Sequence, residues 1–428
     1  MDTASQIVGV KDLANIYEYL QPKYVGKFQC DGRKCPANCC CRDWQIVIDD
    51  ETYKKYSELE NPEREMTKYL IPNEEGAGFL IFHSDEGCPF MTAEKLCGIQ
   101  KTYGEEFLSQ TCLSYPRQLV NFGAIIERTL SPSCPLAAEL ILNSTEKMKF
   151  ETCAVELPKW AHGKLTVGEN GVPEEFLPHF IEIQFTAISI LQERRLTTDQ
   201  RLIVLGFYLF QVEDMQRRGE LNLIPTLNKI YTSEEFFAEQ IPMLLHSVNF
   251  QILEFAENFF GLLKKLYGDD KVLTTAGNKK YVDVLFKVMS FNPADELNAQ
   301  ELAENYFDLQ EIQKIFRSEY EIFFENYLVN DFFGGVYPFK VEGTIQNNFA
   351  VFAATFKILE NIALAMTASS RDDEKKLRAE IFEMLCDISL DLNHNANYLV
   401  AIAEFFKDKS DITTFMRSFF EGTKCGVF

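Results

Sequence analysis

Residues 30–41 read CDGRKCPANCCC, five thiols in twelve positions, with Cys39, Cys40 and Cys41 consecutive. Four further cysteines, Cys88, Cys97, Cys112 and Cys134, stand in GCPF, KLCGIQ, SQTCLSYPR and SPSCP. Thiolates are soft ligands, so cysteines gathered from separate segments suit zinc, an iron–sulfur cluster or a redox-reactive pair. Successive side chains diverge by about 100° on a helix and alternate faces on a strand. Cys39, Cys40 and Cys41 therefore cannot all reach one small ion; one or two should face a site while the others pack or serve elsewhere. No C-x₂-C pair occurs, which counts against a zinc ribbon or finger. Iron–sulfur ligation tolerates irregular spacing better, because its ligands reach the corners of a larger body. An iron–sulfur centre is the first expectation, zinc the second and thiol redox chemistry the third. The C-x₃-C-x₂-C pattern of radical enzymes that use S-adenosylmethionine fails by one residue, since Arg42 stands where its third cysteine would be.

Other catalytic signatures are missing. The sequence has no Walker A motif, no G-x-S-x-G, no H-E-x-x-H and no G-x-G-x-x-G, and TVGENGV reads as a turn. Among His83, His162, His179, His246 and His394 no two are paired at ligand spacing, and His246 in MLLHSV is expected to be a buried core residue. Arg117, which ends TCLSYPR, offers a guanidinium that could hold a carboxylate in a bidentate way; alternatively it caps a helix or pairs with a local acid. In NYLVNDFFGGVYPF, residues 326–339, Gly334, Gly335 and Pro338 interrupt a helical pattern. That segment reads as an inter-helix turn, in a kind of place that often carries function.

The elements that must hold these residues fall into two parts. Ten of the twelve cysteines lie at or before Cys153, and the composition changes near ELPKWAHGKLTVGENGVPEEF, so a boundary is expected within 153–175. The fold expected is mixed and mainly α: a small, loop-rich α+β cysteine-cluster metal-binding domain at 1–155, then a large all-α helical domain at 156–428. In the first, WQIVIDDETYKKY suggests a short strand followed by a helix capped by Asp49 or Asp50. GFLIFHSD and NFGAIIERTL suggest two more strands. In the second, apolar residues recur every three and four positions from residue 180 onward, and TTDQ supplies a turn and a cap. A net charge of −22 leaves no basic footprint for nucleic acid. The N-terminus shows no secretory pattern, and no apolar run reaches about 18 residues. FAVFAATFKILENIALAM, broken by Lys357, Glu360 and Asn361, reads as a buried amphipathic helix rather than a membrane span. A cytoplasmic protein is expected, where clustered thiols serve metals or catalysis more than structural disulfides.

Cys30-x₄-Cys35-x₃-Cys39-Cys40 with Trp44 beyond, then CPF at 88–90, LCGIQKTYG at 96–104, LSQTCLSYPR at 108–117 and CP at 134–135 together resemble the flagellin lysine-N-methylase family. The resemblance covers about residues 24–136. It implies methyl transfer from S-adenosylmethionine to lysine side chains of flagellin, by a protein holding a [4Fe-4S] cluster. By position, the matching cysteines are Cys30, Cys35, Cys39, Cys40, Cys88, Cys97, Cys112 and Cys134, and Arg117 is a cofactor-binding candidate. An electron-transfer or metal-handling protein without methyl transfer is the alternative.

Overall fold

A computed structural model describes residues 16–30, 35, 39–41, 46–59, 66–72, 78–81, 87–122, 125–156, 171–248, 251–269, 276–370, 373–394, 396–407, 415–416 and 420. The TVGEN stretch at 166–170, Trp44, His83 and His162 lie outside the described residues. Helix dominates, with fifteen α-helices among the described residues. Two compact units share the chain, and they do not follow a single break in the sequence. One comprises Met1–Leu130 with Lys149–Asn170, the other Ser131–Met148 with Gly171–Phe428.

The first unit carries two small sheets. Strands β1 (Ile16–Pro22), β2 (Val47–Ile48), β3 (Leu70–Pro72), β4 (Phe79–Ile81), β5 (Arg117–Asn121), β6 (Ile125–Leu130) and β7 (Phe150–Glu156) pair in the orders β5-β6-β1-β7 and β2-β4-β3. In the larger sheet, β5 and β6 are antiparallel, β1 runs parallel to β6, and β7 pairs antiparallel with β1 from Pro22–Phe150 to Ile16–Glu156. Helix α1 (Asp50–Ser57) follows β2 directly. Asp49 caps it by accepting from Thr52 N at 2.9 Å, as the DDET sequence predicts. Short helices α2 (Gly98–Tyr103) and α3 (Gln110–Ser114) complete the unit. Around the smaller sheet, Ile46, Ile48, Tyr56, Met66, Ile81, Phe90 and Ile99 form one apolar cluster, with Cys88 and Cys97 packed against it.

The second unit begins with α4 (Pro135–Leu142) and continues with α5 (Phe180–Leu191), α6 (Thr198–Arg218), α7 (Ile224–Tyr231) and α8 (Ile241–Ser247). After these come α9 (Ile252–Lys264), α10 (Ala276–Val288), α11 (Ala299–Phe307) and α12 (Gln310–Gly334). The series closes with α13 (Ile345–Ser369), α14 (Glu374–His394) and α15 (Ala396–Phe406). The TTDQ signal is realised in full: Thr197 and Gln200 form a capping box at the head of α6, and Gly219 ends that helix in the left-handed conformation. At the other end of the unit, α12 stops at Gly334, as its double glycine predicts.

Helix α13 packs against α6, α10, α12, α14 and α15. It is long and apolar enough to cross a membrane, yet its apolar window is wholly buried inside the unit. The amphipathic expectation is corrected here, because even Lys357 is fully buried. Its Nζ lies 3.0 Å from Asp199 Oδ1 and also binds the Glu360 carboxylate, while Arg317 approaches Asp199 Oδ2 at 3.3 Å. Partners on α6 and on its own next turn make the buried charge tolerable. A second ion group lies between α5–α6 and α12. Glu325, fully buried, takes bonds from Arg194 Nη2 at 2.9 Å and Arg201 Nη1 at 2.9 Å. His246 is exposed, against the expectation of a core histidine: it ends α8 on the solvent side, while its neighbour Leu245 packs inward.

Gly206 sits where α6 meets α13. A Cβ there would collide with Met416 Cε and stand 2.7 Å from Phe349 Cε1. Alanine is the better helix former by about 1 kcal/mol, but overpacking of this kind costs about 1–3 kcal/mol. Gly206→Ala is expected to lower the urea midpoint, and an unchanged or raised midpoint would show that the ring gives way.

Candidate metal centre

Four segments of the first unit bring thiols together. A single 3₁₀ turn, Cys39–Cys41, presents Cys39 and Cys40, whose sulfurs are hydrogen-bonded to one another. Cys40 also bonds the Cys88 thiol, and the same two residues are tied through the backbone, Cys88 N donating to Cys40 O at 2.7 Å. Cys97 stands where a bridge from Met91 ends and α2 begins. Cys112 lies in α3, its amide donating to the capping Ser109 hydroxyl at 3.3 Å. Cys97 is within Coulombic range of Cys40 and Cys112, and Cys112 of Cys39. Tyr56 of α1 belongs to the apolar cluster against which Cys88 and Cys97 pack, feels the Cys112, Cys97 and Cys88 thiols electrostatically, and sets its ring edge-on to Phe90 at 6.2 Å.

The electrostatics of this cluster are those of crowded thiols, four of them half-buried and Cys112 exposed. Hydrogen bonding by Cys40 and then burial push the Cys39 thiol well above its ordinary range. Cys40 gains a lowering influence from Cys39, but the Cys88 hydrogen bond and burial outweigh it and push it up as well. Burial, then the neighbouring sulfurs, raise the Tyr56 phenol. Such thiols ionise only with a compensating cation, and a bound metal deprotonates its cysteine ligands outright. Among the described residues, no three His, Cys, Asp or Glu side chains stand close enough together to hold a metal ion. In donor type the five thiols suit a thiolate-bound centre.

Of the eight cysteines singled out by sequence, Cys39, Cys40, Cys88, Cys97 and Cys112 are thus neighbours. Cys30 is exposed and Cys35 half-buried in the same unit. Cys134 belongs to the other unit, where it is buried and precedes α4 as its cap residue. Arg117 opens β5 and lays its guanidinium over the Phe28 ring, 5.2 Å from the centroid, neither capping a helix nor gripping an acid in that contact. Tyr56 was not foreseen. Its only sequence signal is the amphipathic spacing of DETYKKY, which marks it as a buried helix residue and says nothing about sulfur.

The helical unit supplies the decisive comparison. A family model described as the FliB lysine N-methylase C-terminal domain matches residues 184–418, more than half of the chain. The chain belongs to that family. It is 32% identical over 134 residues to the lysine-N-methylase of Salmonella typhimurium, a stretch covering 30% of this chain and 33% of that relative. The flagellar biosynthetic protein FliU of Salmonella muenchen matches over the same length at 32%, there covering 79% of the relative. The lysine-N-methylase of Salmonella choleraesuis is likewise 32% identical over 134 residues and a third covered. The alignment thus spans only about a third of either lysine-N-methylase. No solved structure matches the chain.

Proposed function

We propose that this chain is a protein-lysine N-methyltransferase that uses S-adenosylmethionine, takes flagellin as its substrate and carries a [4Fe-4S] cluster in its cysteine-rich unit. The observation that carries the activity is the family match over residues 184–418, supported by the names of the Salmonella relatives. The cluster is supported by thiol chemistry. Four thiolates drawn from Cys39, Cys40, Cys88, Cys97 and Cys112 would hold it. Bound there, it would supply a fixed charge and pin together segments that have only a small apolar core of their own. Zinc is the second choice of metal. Arg117 remains a candidate for the cofactor's carboxylate, once its guanidinium leaves the Phe28 face.

The transfer itself is a displacement. A lysine ammonium, with a pKa of about 10.4, first gives up its proton to water, leaving the neutral amine. The amine lone pair then forms the N–CH₃ bond while the S–CH₃ bond breaks, and the sulfonium becomes a neutral thioether. Desolvation of the lysine and aromatic faces toward the sulfonium both assist this step.

The test uses full-length protein purified without oxygen, flagellin, and S-adenosylmethionine labelled in its methyl group. Label on flagellin lysines, together with iron and acid-labile sulfide in equal amounts, is the expected result. Reversible redox behaviour with no label transferred would instead support the electron-transfer alternative. Zinc without sulfide would remove the cluster while leaving methyl transfer to be judged by the label.

A further inference from the structure

Past the end of α12 the chain turns sharply through Gly335 and Val336. Val336 holds φ at 57°, a left-handed conformation that a β-branched residue adopts only when its surroundings impose it. A Cβ on Gly335 would lie 2.6 Å from the Asp331 carbonyl oxygen and 2.9 Å from Tyr337 Cε2. The turn is therefore pressed directly onto the Tyr337 ring. That ring is buried, tilted against Phe352 at 4.8 Å and stacked on Phe332 at 5.9 Å, and its hydroxyl has no hydrogen-bond partner among the described residues.

Onto the face of this ring the chain returns Lys340. Its Nζ is 5.0 Å from the ring centroid and 3.3 Å from Asp331 Oδ1. The Lys340 and Asp331 side chains are 20% and 19% exposed, so the ammonium position opens to solvent although the ring beneath it is buried. An isolated pair of this exposure contributes little to stability. A strained backbone holding a buried aromatic face beside a carboxylate is a different matter, since that combination recognises an alkylammonium.

We propose that Asp331 and the face of Tyr337 form a binding subsite for an alkylammonium of lysine type, and that Lys340 occupies it as an internal stand-in. The assignment to lysine, among possible cations, rests on the methyltransferase reading; the subsite itself rests on the turn. An incoming lysine displaces Lys340, whose stem is long enough to swing into solvent.

Calorimetric titration of the full chain with Nα-acetyl-trimethyl-lysine amide tests this without any methyl transfer, so failure of the activity and failure of the subsite are told apart. Lys340→Ala is expected to bind the probe roughly tenfold more tightly than the unaltered protein, within the range of a partly desolvated cation–π contact. Adding Asp331→Asn should remove the gain. Equal binding by all three proteins, or a gain that survives Asp331→Asn, would overturn the proposal. Should Lys340→Ala fail to fold, the unaltered protein still decides. Reductive methylation of Lys340, read by mass spectrometry, should accelerate when the probe is present, and an unchanged rate refutes the stand-in.

Discussion

Glu325→Leu should unfold at a clearly lower urea concentration than the unaltered protein, with a stability loss of about 3–5 kcal/mol. The cause lies in what the substitution leaves behind. Arg201 is 2% exposed, and burial already disfavours its charged form; the Glu325 carboxylate is the first influence working the other way. Without it a guanidinium stays in the core and, among the described residues, only Glu321 at 3.5 Å still offers it a carboxylate. Arg194, less buried, can turn outward and contributes less to the loss. Glu234→Ala is the control. It removes an exposed partner of Arg195, and such pairs contribute about 0–1 kcal/mol. Replacing both members, as Arg201→Met with Glu325→Leu, should recover only part of the loss. Arg201 Nε also donates to the carbonyls of Glu193 and Leu196 at 2.8 and 2.9 Å, and these would lose that donor. A Glu325→Leu protein as stable as its parent would show that water reaches Arg201.

On the function proposed above, substitution of Cys88 or Cys97 by serine should strip the metal from protein purified without oxygen and lower methyl transfer by roughly 100-fold, as loss of a ligand or its direct support commonly does. Both thiols border the apolar cluster of the first unit. Serine keeps their volume close and leaves untouched the backbone bond from Cys88 N to Cys40 O. Metal loss with the helical unit still folded is therefore the specific result. Cys153→Ser and Cys386→Ser supply the contrast: Cys153 lies in β7 and Cys386 is buried in α14, and both variants should retain metal. Equal metal content in all four proteins would remove the cluster from these thiols. Metal lost without loss of methyl transfer would assign it a purely structural role.

Local rules were readable from the chain. Asp49 before α1, the Thr197–Gln200 capping box and the stop at Gly334 are each fixed within a few residues, and each stands where the sequence placed it. The strand in NFGAIIERTL is β6, and the one in GFLIFHSD is β4. What could not be read depends on distant pairing. Strand β1 owes its place to partners more than a hundred residues later, so IYEYLQP carries no local sign of a sheet centre. Lys357 and Glu360 look like the polar edge of an amphipathic helix until Asp199 is known to face Lys357. The thiol cluster was legible as a set, because cysteine enrichment survives any fold. Its membership was not, since Tyr56 enters it and Cys134 folds with the helical unit.

The burial of α13 also has a consequence for biosynthesis. Helices α6, α10 and α12 leave the ribosome before residue 345, yet each sets part of its apolar surface against α13. The Lys357–Asp199 pair joins residues 158 positions apart, so Asp199 waits through much of translation for its buried partner. The helical unit therefore cannot close segment by segment. Until α13 has cleared the exit tunnel, the nascent chain carries the apolar faces that α13 covers in the finished fold, and exposed faces of that kind are where nascent chains aggregate.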